Sequence, residues 1–290
     1  MVGRRKSTGR AAAGLALAAL ALGTVAGQAE PARAAATPKT APASSTLRLV
    51  ASDEFGGAAG AGVNWFVWNV LEGAGGWGNG ELQSYTGRAA NLAMDGRGSL
   101  RIVARRETYT GRDGIRAPWT SARILSKVPV QYGRIEARMW LPAGTGLWPA
   151  LWTVGADIAT KGWPACGEID IAESVNSLSA VSGTLHGPSS VPPYRWQLTG
   201  STRPAGGIGN AWHTYAIDWR PGSVTWLLDG VPYRSISRAD LPRGATWVFD
   251  KQHLVQLDLA VGGTWPGPPD ATTPSVATML VDYVRVYALP

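Results

Sequence analysis

Cysteine is almost missing from this chain: Cys166 stands alone in 290 residues. No intrachain disulfide can form, so an exported fold must rest on its apolar core. A cysteine-based zinc site is excluded as well, and no His-Glu-x-x-His motif occurs. The lone thiol has two readings, a reactive group beside the acidic segment that follows it or a small packed residue. Phenylalanine is scarce, at 3 against 14 tryptophans. Helical periodicity over three turns is absent after residue 46, as are a G-x-S-x-G elbow and a P-loop. Gly73-Ala-Gly-Gly-Trp-Gly78 matches a dinucleotide fingerprint by letter only, because no strand–helix unit surrounds it, and a loop is expected there.

Long apolar runs are confined to the start. Residues 1–36 read as a secretory signal, with Arg4, Arg5, Lys6 and Arg10 ahead of apolar Ala11 to Val25. That run is too short to span a bilayer, and Ala32, Ala34, Ala35 and Ala36 offer cleavage sites. Arg4-Arg5 lacks the flanking pattern of a twin-arginine signal. The formal charge of +7 belongs largely to this segment, which holds five of the 27 Lys+Arg and one of the 20 Asp+Glu. What is left is 22 against 19, or +3. So small an excess, with no lysine–arginine run, argues against a nucleic-acid partner. Nothing downstream supports a membrane anchor. Residues 37–46 (TPKTAPASST) read as a flexible linker and 47–290 as one domain. The expectation is a secreted, extracellular, monomeric protein.

What is present points to an all-β fold. Arg134-Ile-Glu-Ala-Arg-Met-Trp-Leu alternates polar and apolar residues, and Leu100, Ile102 and Ala104 alternate with Arg101, Val103 and Arg105. Val224 to Leu228, the turn Asp229-Gly230, and Val231 to Ile236 predict a hairpin. Met279 to Tyr287 predicts a closing strand. With 37 Gly and 20 Pro punctuating such runs, the pattern predicts a two-sheet antiparallel sandwich. The tryptophan surplus suggests flat faces for stacking on sugar rings, about half of it being core.

Glu168, Asp170 and Glu173 stand within Gly167-Glu-Ile-Asp-Ile-Ala-Glu-Ser. Period two points Glu168 and Asp170 to one face of a strand. A β-bulge near Ile171-Ala172 would return Glu173 to that face, leaving Ile169 and Ile171 for the core. Like charges so close raise one another's pKa, so one acid stays protonated while its neighbour is ionised. The outer Cα atoms would be roughly 13–15 Å apart. Side chains leaning together can close to the ~5–5.5 Å of retaining glycoside hydrolysis. The alternative is a solvated acidic strand.

This segment resembles the active-site strand of glycoside hydrolase family 16, in the bulged form of laminarinase-like endo-β-1,3-glucanases. Asp53-Glu-Phe, Trp77-Gly-Asn-Gly-Glu-Leu-Gln-Ser-Tyr-Thr86, Tyr132-Gly-Arg-Ile-Glu-Ala-Arg138, Leu141 to Trp152, Trp212 to Trp219, Leu259 to Gly267 and Asp282 to Tyr287 are similar to family segments in family order. The resemblance implies a concanavalin-like β-jelly-roll with an open concave cleft. It also implies a retaining double displacement, with Glu168 as nucleophile, Glu173 as acid/base and Asp170 tuning both. For substrate it implies Trp148, Trp152 and Trp265 as aromatic walls and Asn79, Glu81, Arg105 and His186 as polar contacts. Trp152 in the core and His186 as a structural histidine are the bland alternatives. Catalysis would need no cofactor. A structural calcium would be held by Glu54, the Gly96 carbonyl and Asp282. The implied partner is a β-1,3-glucan of the laminarin or curdlan type. Mixed-linkage glucan, galactan, transglycosylation and a non-catalytic lectin-like role are the alternatives. Two departures stand out: Asp258 where the family often has Asn, and Ala172 where it often has Met.

Overall fold

The computed structural model describes residues 47–209 and 211–289. The expected signal and linker, residues 1–46, lie outside the described residues. Strands dominate: β1 (Arg48–Asp53), β2 (Trp68–Leu71), β3 (Gln83–Tyr85), β4 (Leu92–Met94), β5 (Leu100–Thr110), β6 (Arg116–Ser121), β7 (Arg123–Ser126), β8 (Gly133–Trp140) and β9 (Leu147–Gly155) come first. After α1 (Ile158–Lys161), the one short α-helix among the described residues, follow β10 (Glu168–Glu173), β11 (Val181–Pro188), β12 (Arg195–Thr202), β13 (Trp212–Arg220), β14 (Ser223–Leu228), β15 (Val231–Ser237), β16 (His253–Val261) and β17 (Val276–Ala288).

Two sheets form. One has the order β12-β11-β10-β9-β16-β7-β2, and the other β15-β14-β13-β8-β17-β5-β6-β3, with β1 added on β17 and β4 on β5. Pairing is antiparallel except between β3 and β6. The hairpin between β14 and β15 turns on Asp229 and Gly230, both at positive φ (50° and 79°). Those angles are the demand of a tight two-residue turn, which Asp-Gly meets with little strain.

The alternation read in the sequence sorts each strand between core and solvent. Leu151, Ile169, Ile171, Leu185, Leu257 and Leu259 of the seven-stranded sheet are buried against Ile102, Ile135, Met139, Ile217 and Val281 of the other. Burying each such side chain contributes about 1.5–3 kcal/mol, enough to hold two layers without a disulfide. Of the 14 tryptophans, Trp68, Trp119, Trp140, Trp196, Trp219 and Trp226 are buried, which leaves the majority at or near the surface. One core tryptophan also joins the layers. Trp226 on β14 donates its indole N–H to the backbone carbonyl of Asp170 on β10, at 2.7 Å. Gly183 on β11 makes room for it, since a Cβ there would lie 2.1 Å from the Trp226 ring.

Candidate active site

β10 is third from one edge of the seven-stranded sheet. Against β9, Asp170 pairs with Trp152 but Ala172 with Leu151 and Glu173 with Ala150, so Ile171 is the extra residue. Against β11, Asp170 pairs with Thr184 and Glu173 with Ser182, showing the same insertion. This bulge returns Glu173 to the face of Glu168 and Asp170. Ile169, Ile171 and Ala172 are buried beneath, so the apolar half of the segment anchors the acidic half.

His186 is paired with Glu168 across β11. Its Nε2 lies 3.1 Å from Asp170 Oδ2 and 3.7 Å from Glu168 Oε1. Glu168 also accepts the Trp163 indole N–H. Glu173 accepts the Trp148 indole N–H at 3.0 Å. All three acids are pushed above the usual carboxylate range. Burial raises Glu168 to about 8, with Asp170 adding to it and His186 and Arg123 opposing. Burial also raises Asp170, helped by Asp258. Glu173 is raised by burial and then by both Asp170 and Glu168. His186 opposes the rise at both Glu168 and Glu173, and Arg123 opposes it at Glu168 as well. The three acids therefore titrate as one coupled set that favours keeping at least one proton near neutral pH. One protonated acid beside a carboxylate relieved by a cation is the division that acid-assisted displacement requires. Glu168, Asp170 and His186 offer atoms within 4.8 Å of one another. Nothing in that set exceeds what the acid trio and its histidine explain.

Aromatic residues line the side toward β9. Trp148 and Trp152 are half-buried on β9, and Trp148 meets the exposed Trp265 edge-to-face, with centroids 5.4 Å apart. Trp152 is thus on the cleft face rather than in the core. Its N–H is held by Asp258 at 2.7 Å. Asn79 is half-buried; its carbonyl accepts the Thr264 N–H, tying its loop to that of Trp265.

Two expected sugar contacts are corrected. Glu81 is buried, and its oxygens are met by Asn79 (3.1 Å), Gln83 (2.7 Å) and the Tyr85 hydroxyl (3.1 Å). It braces the cleft wall from inside. Arg105 lies on β5 of the other sheet, opposite Thr120 and Val276. Its neighbour Ala104 faces the core, so strand alternation turns Arg105 away from the catalytic sheet. Cys166 is fully buried and its thiol is pushed up to about 11 by burial, the reverse of what a nucleophile needs. At the proposed calcium ligands, both Glu54 oxygens accept from Arg285 at 2.9 Å, and Asp282 accepts from Arg138 at 3.0 Å. Gly96 is in a turn at positive φ. The donors are hard oxygens, as calcium prefers, but the two carboxylates already have cationic partners.

Sequence reasoning missed Trp163 and Arg123. Trp163 sits in the segment between α1 and β10, with no periodic pattern to mark it. Arg123 reads as an ordinary polar position before Ile124-Leu125, yet it is buried, with its guanidinium 4.7–5.4 Å from the Trp77, Tyr85 and Trp152 rings.

Residues 75–285 match the model of Glycosyl hydrolases family 16. A Beta-glucanase of Rhodothermus marinus is 38% identical over 231 residues, covering 76% of this chain and 78% of its own. The endo-beta-1,3-glucanase of Pyrococcus furiosus superposes with a TM-score of 0.78 at 38% identity, over 88% of this chain and 99% of that one. The catalytic domain of an endo-1,3-beta-glucanase (laminarinase) from Thermotoga petrophila RKU-1 gives 0.76 at 38% identity, over 84% and 98%. With the bulged acidic strand, the two-sheet sandwich and a matched stretch longer than half the chain in agreement, the chain belongs to glycosyl hydrolases family 16.

Proposed function

We propose that the protein is a secreted endo-β-1,3-glucanase acting on glucans of the laminarin or curdlan type by a retaining double displacement. The observation that carries this reading is the convergence of Glu168, Asp170 and Glu173 on one face of a bulged strand, with His186 across them. The names of the relatives support the substrate class, and the N-terminal pattern of residues 1–36 supports secretion.

In the first step a Glu168 oxygen bonds to the anomeric carbon as the glycosidic C–O bond breaks. Glu173 gives its proton to the departing oxygen. In the second step Glu173, now ionised, takes a proton from water. The water oxygen bonds to the anomeric carbon and Glu168 leaves as carboxylate, which returns Glu173 to its acid form. Asp170, held by His186, stays between them as the group whose charge keeps the proton on Glu173. A pure sugar-binding module has no use for three acids raised in this way.

Release of reducing sugar from laminarin, curdlan, lichenan and agarose tests the reading. Wild type is expected to cleave the first two and E168Q to lose at least about a thousandfold in kcat. No turnover of either β-1,3-glucan, or equal turnover by E168Q, contradicts it. A structural calcium at Glu54, Gly96 and Asp282 belongs to the same proposal, in competition with Arg285 and Arg138 for the carboxylates. It predicts a Tm that rises with added calcium and no longer does so in D282N; a calcium-independent Tm would remove it.

A further inference from the structure

The carboxylate of Asp258, on β16, stands under the aromatic side of the cleft with every oxygen engaged. Oδ1 accepts the Trp152 indole N–H at 2.7 Å and faces Arg123 Nε at 3.4 Å. Oδ2 lies 3.0 Å from the Tyr85 hydroxyl, whose single proton it shares with Glu81. Asp258 is 4% exposed and Arg123 7%, so this ion pair is shielded from water and no sugar can touch the carboxylate. The Arg123 guanidinium lies 4.7 Å from the Trp152 ring centre and 4.9 Å from that of Trp77, a cation packed against both. Trp152 itself is half-buried and stands opposite Asp170 in the β9–β10 register, beside the acids. An indole has little else to fix its tilt on an open sheet face; here the N–H and the ring face are both pinned from below.

We propose that Asp258 is a positioning residue for substrate binding: its carboxylate aims the Trp152 ring at the sugar lying beside the acid trio and holds Arg123 as the support under that ring. The inference rests on the glucanase reading and adds to it a residue that never meets the substrate. A second consequence follows from charge. The groups facing Asp258 are Arg123 on β7, Tyr85 on β3, Glu81 just before β3, Trp152 on β9 and Asp170 on β10. Only Arg123 among them is cationic. The Asp258 charge therefore acts on Asp170 as an added anion, and through Asp170 on the proton affinity of the trio.

Four variants separate position from charge. D258L removes the acceptor and the charge, and is expected to raise KM for laminari-oligosaccharides about tenfold with a smaller change in kcat. W152F should raise KM similarly, and W152F/D258L should be little worse than either alone, because both remove one function. D258N keeps an acceptor for the indole but not the charge. Its KM should stay within about threefold of wild type while its pH–rate profile moves toward acid. Should D258L fail to fold, D258N still decides the charge effect, and W152F whether the pinned ring binds sugar. An unchanged KM in D258L or W152F, additive losses in the double variant, or a D258N profile superimposable on wild type would overturn the proposal. Wild type that releases no sugar from any β-glucan would instead overturn the glucanase reading, and this proposal with it.

Discussion

At the scale of the residue, Glu173 shows the conflict between site and fold. Burial and two neighbouring carboxylates raise its pKa in the folded chain. The folded state therefore binds its proton more tightly than the unfolded chain does. Stability falls as pH rises above the unfolded value near 4.5 and toward the folded one. Replacement by a neutral isostere removes this penalty and keeps an oxygen for the Trp148 N–H. E173Q should abolish turnover of glucan yet raise Tm at pH 7, by the ~0.5–2 kcal/mol usual for a single stabilising substitution, or ~2–4 °C per kcal/mol for a domain of this size. Near pH 4, where both states carry the proton, the gain should vanish. Thermal melts at the two pH values check it, and an E173Q destabilised at pH 7 would contradict the raised pKa. At this scale the convergence of the three acids was legible from their spacing, and His186 from its matching segment. The sequence misled for Glu81 and Arg105. A carboxylate or guanidinium in a matching segment carries no sign of whether it points into the cleft, into the wall below it, or out of the opposite sheet.

At the scale of the element, β10 shows how one extra residue builds a site. In a regular strand of the same sequence, Glu173 would turn to the core face with Ile169 and Ile171, and Ala172 to the acid face. Period-two alternation interrupted once predicts this bulge, because three acids cannot share a face otherwise. What holds the bulged strand from behind was not legible. The Trp226 bond to the Asp170 carbonyl depends on Gly183, a position whose lack of a side chain has no meaning until β11 and β14 are seen to face each other. G183A would drive a methyl into the Trp226 ring. It should lower stability by about 1–3 kcal/mol and reduce kcat more than it changes KM, since Asp170 moves while the aromatic wall stays. Thermal melts and steady-state kinetics measure both; an unaltered Tm and kcat would mean that this contact does not fix the strand.

At the scale of the whole molecule, alternation, turn signals and the lack of helical period were sufficient to anticipate the sandwich. Each strand's apolar set can be buried only by a second sheet. Strand order was less accessible: β16 inserts between β9 and β7, strands more than a hundred residues earlier in the chain, and local patterns do not encode such pairings. That insertion brings Asp258, Arg123 and Trp152 together beside the acids, so the missed support of the cleft follows from the missed topology. In the proposed mechanism this sandwich presents Glu168 as a nucleophile to a β-1,3-glucan. An activated 2-fluoro laminaribioside, followed by mass spectrometry of the intact chain and its peptides, tests that claim most directly. A single glycosyl adduct on Glu168 is the expected result; an adduct on Glu173 instead, or none while glucan is being hydrolysed, would contradict it.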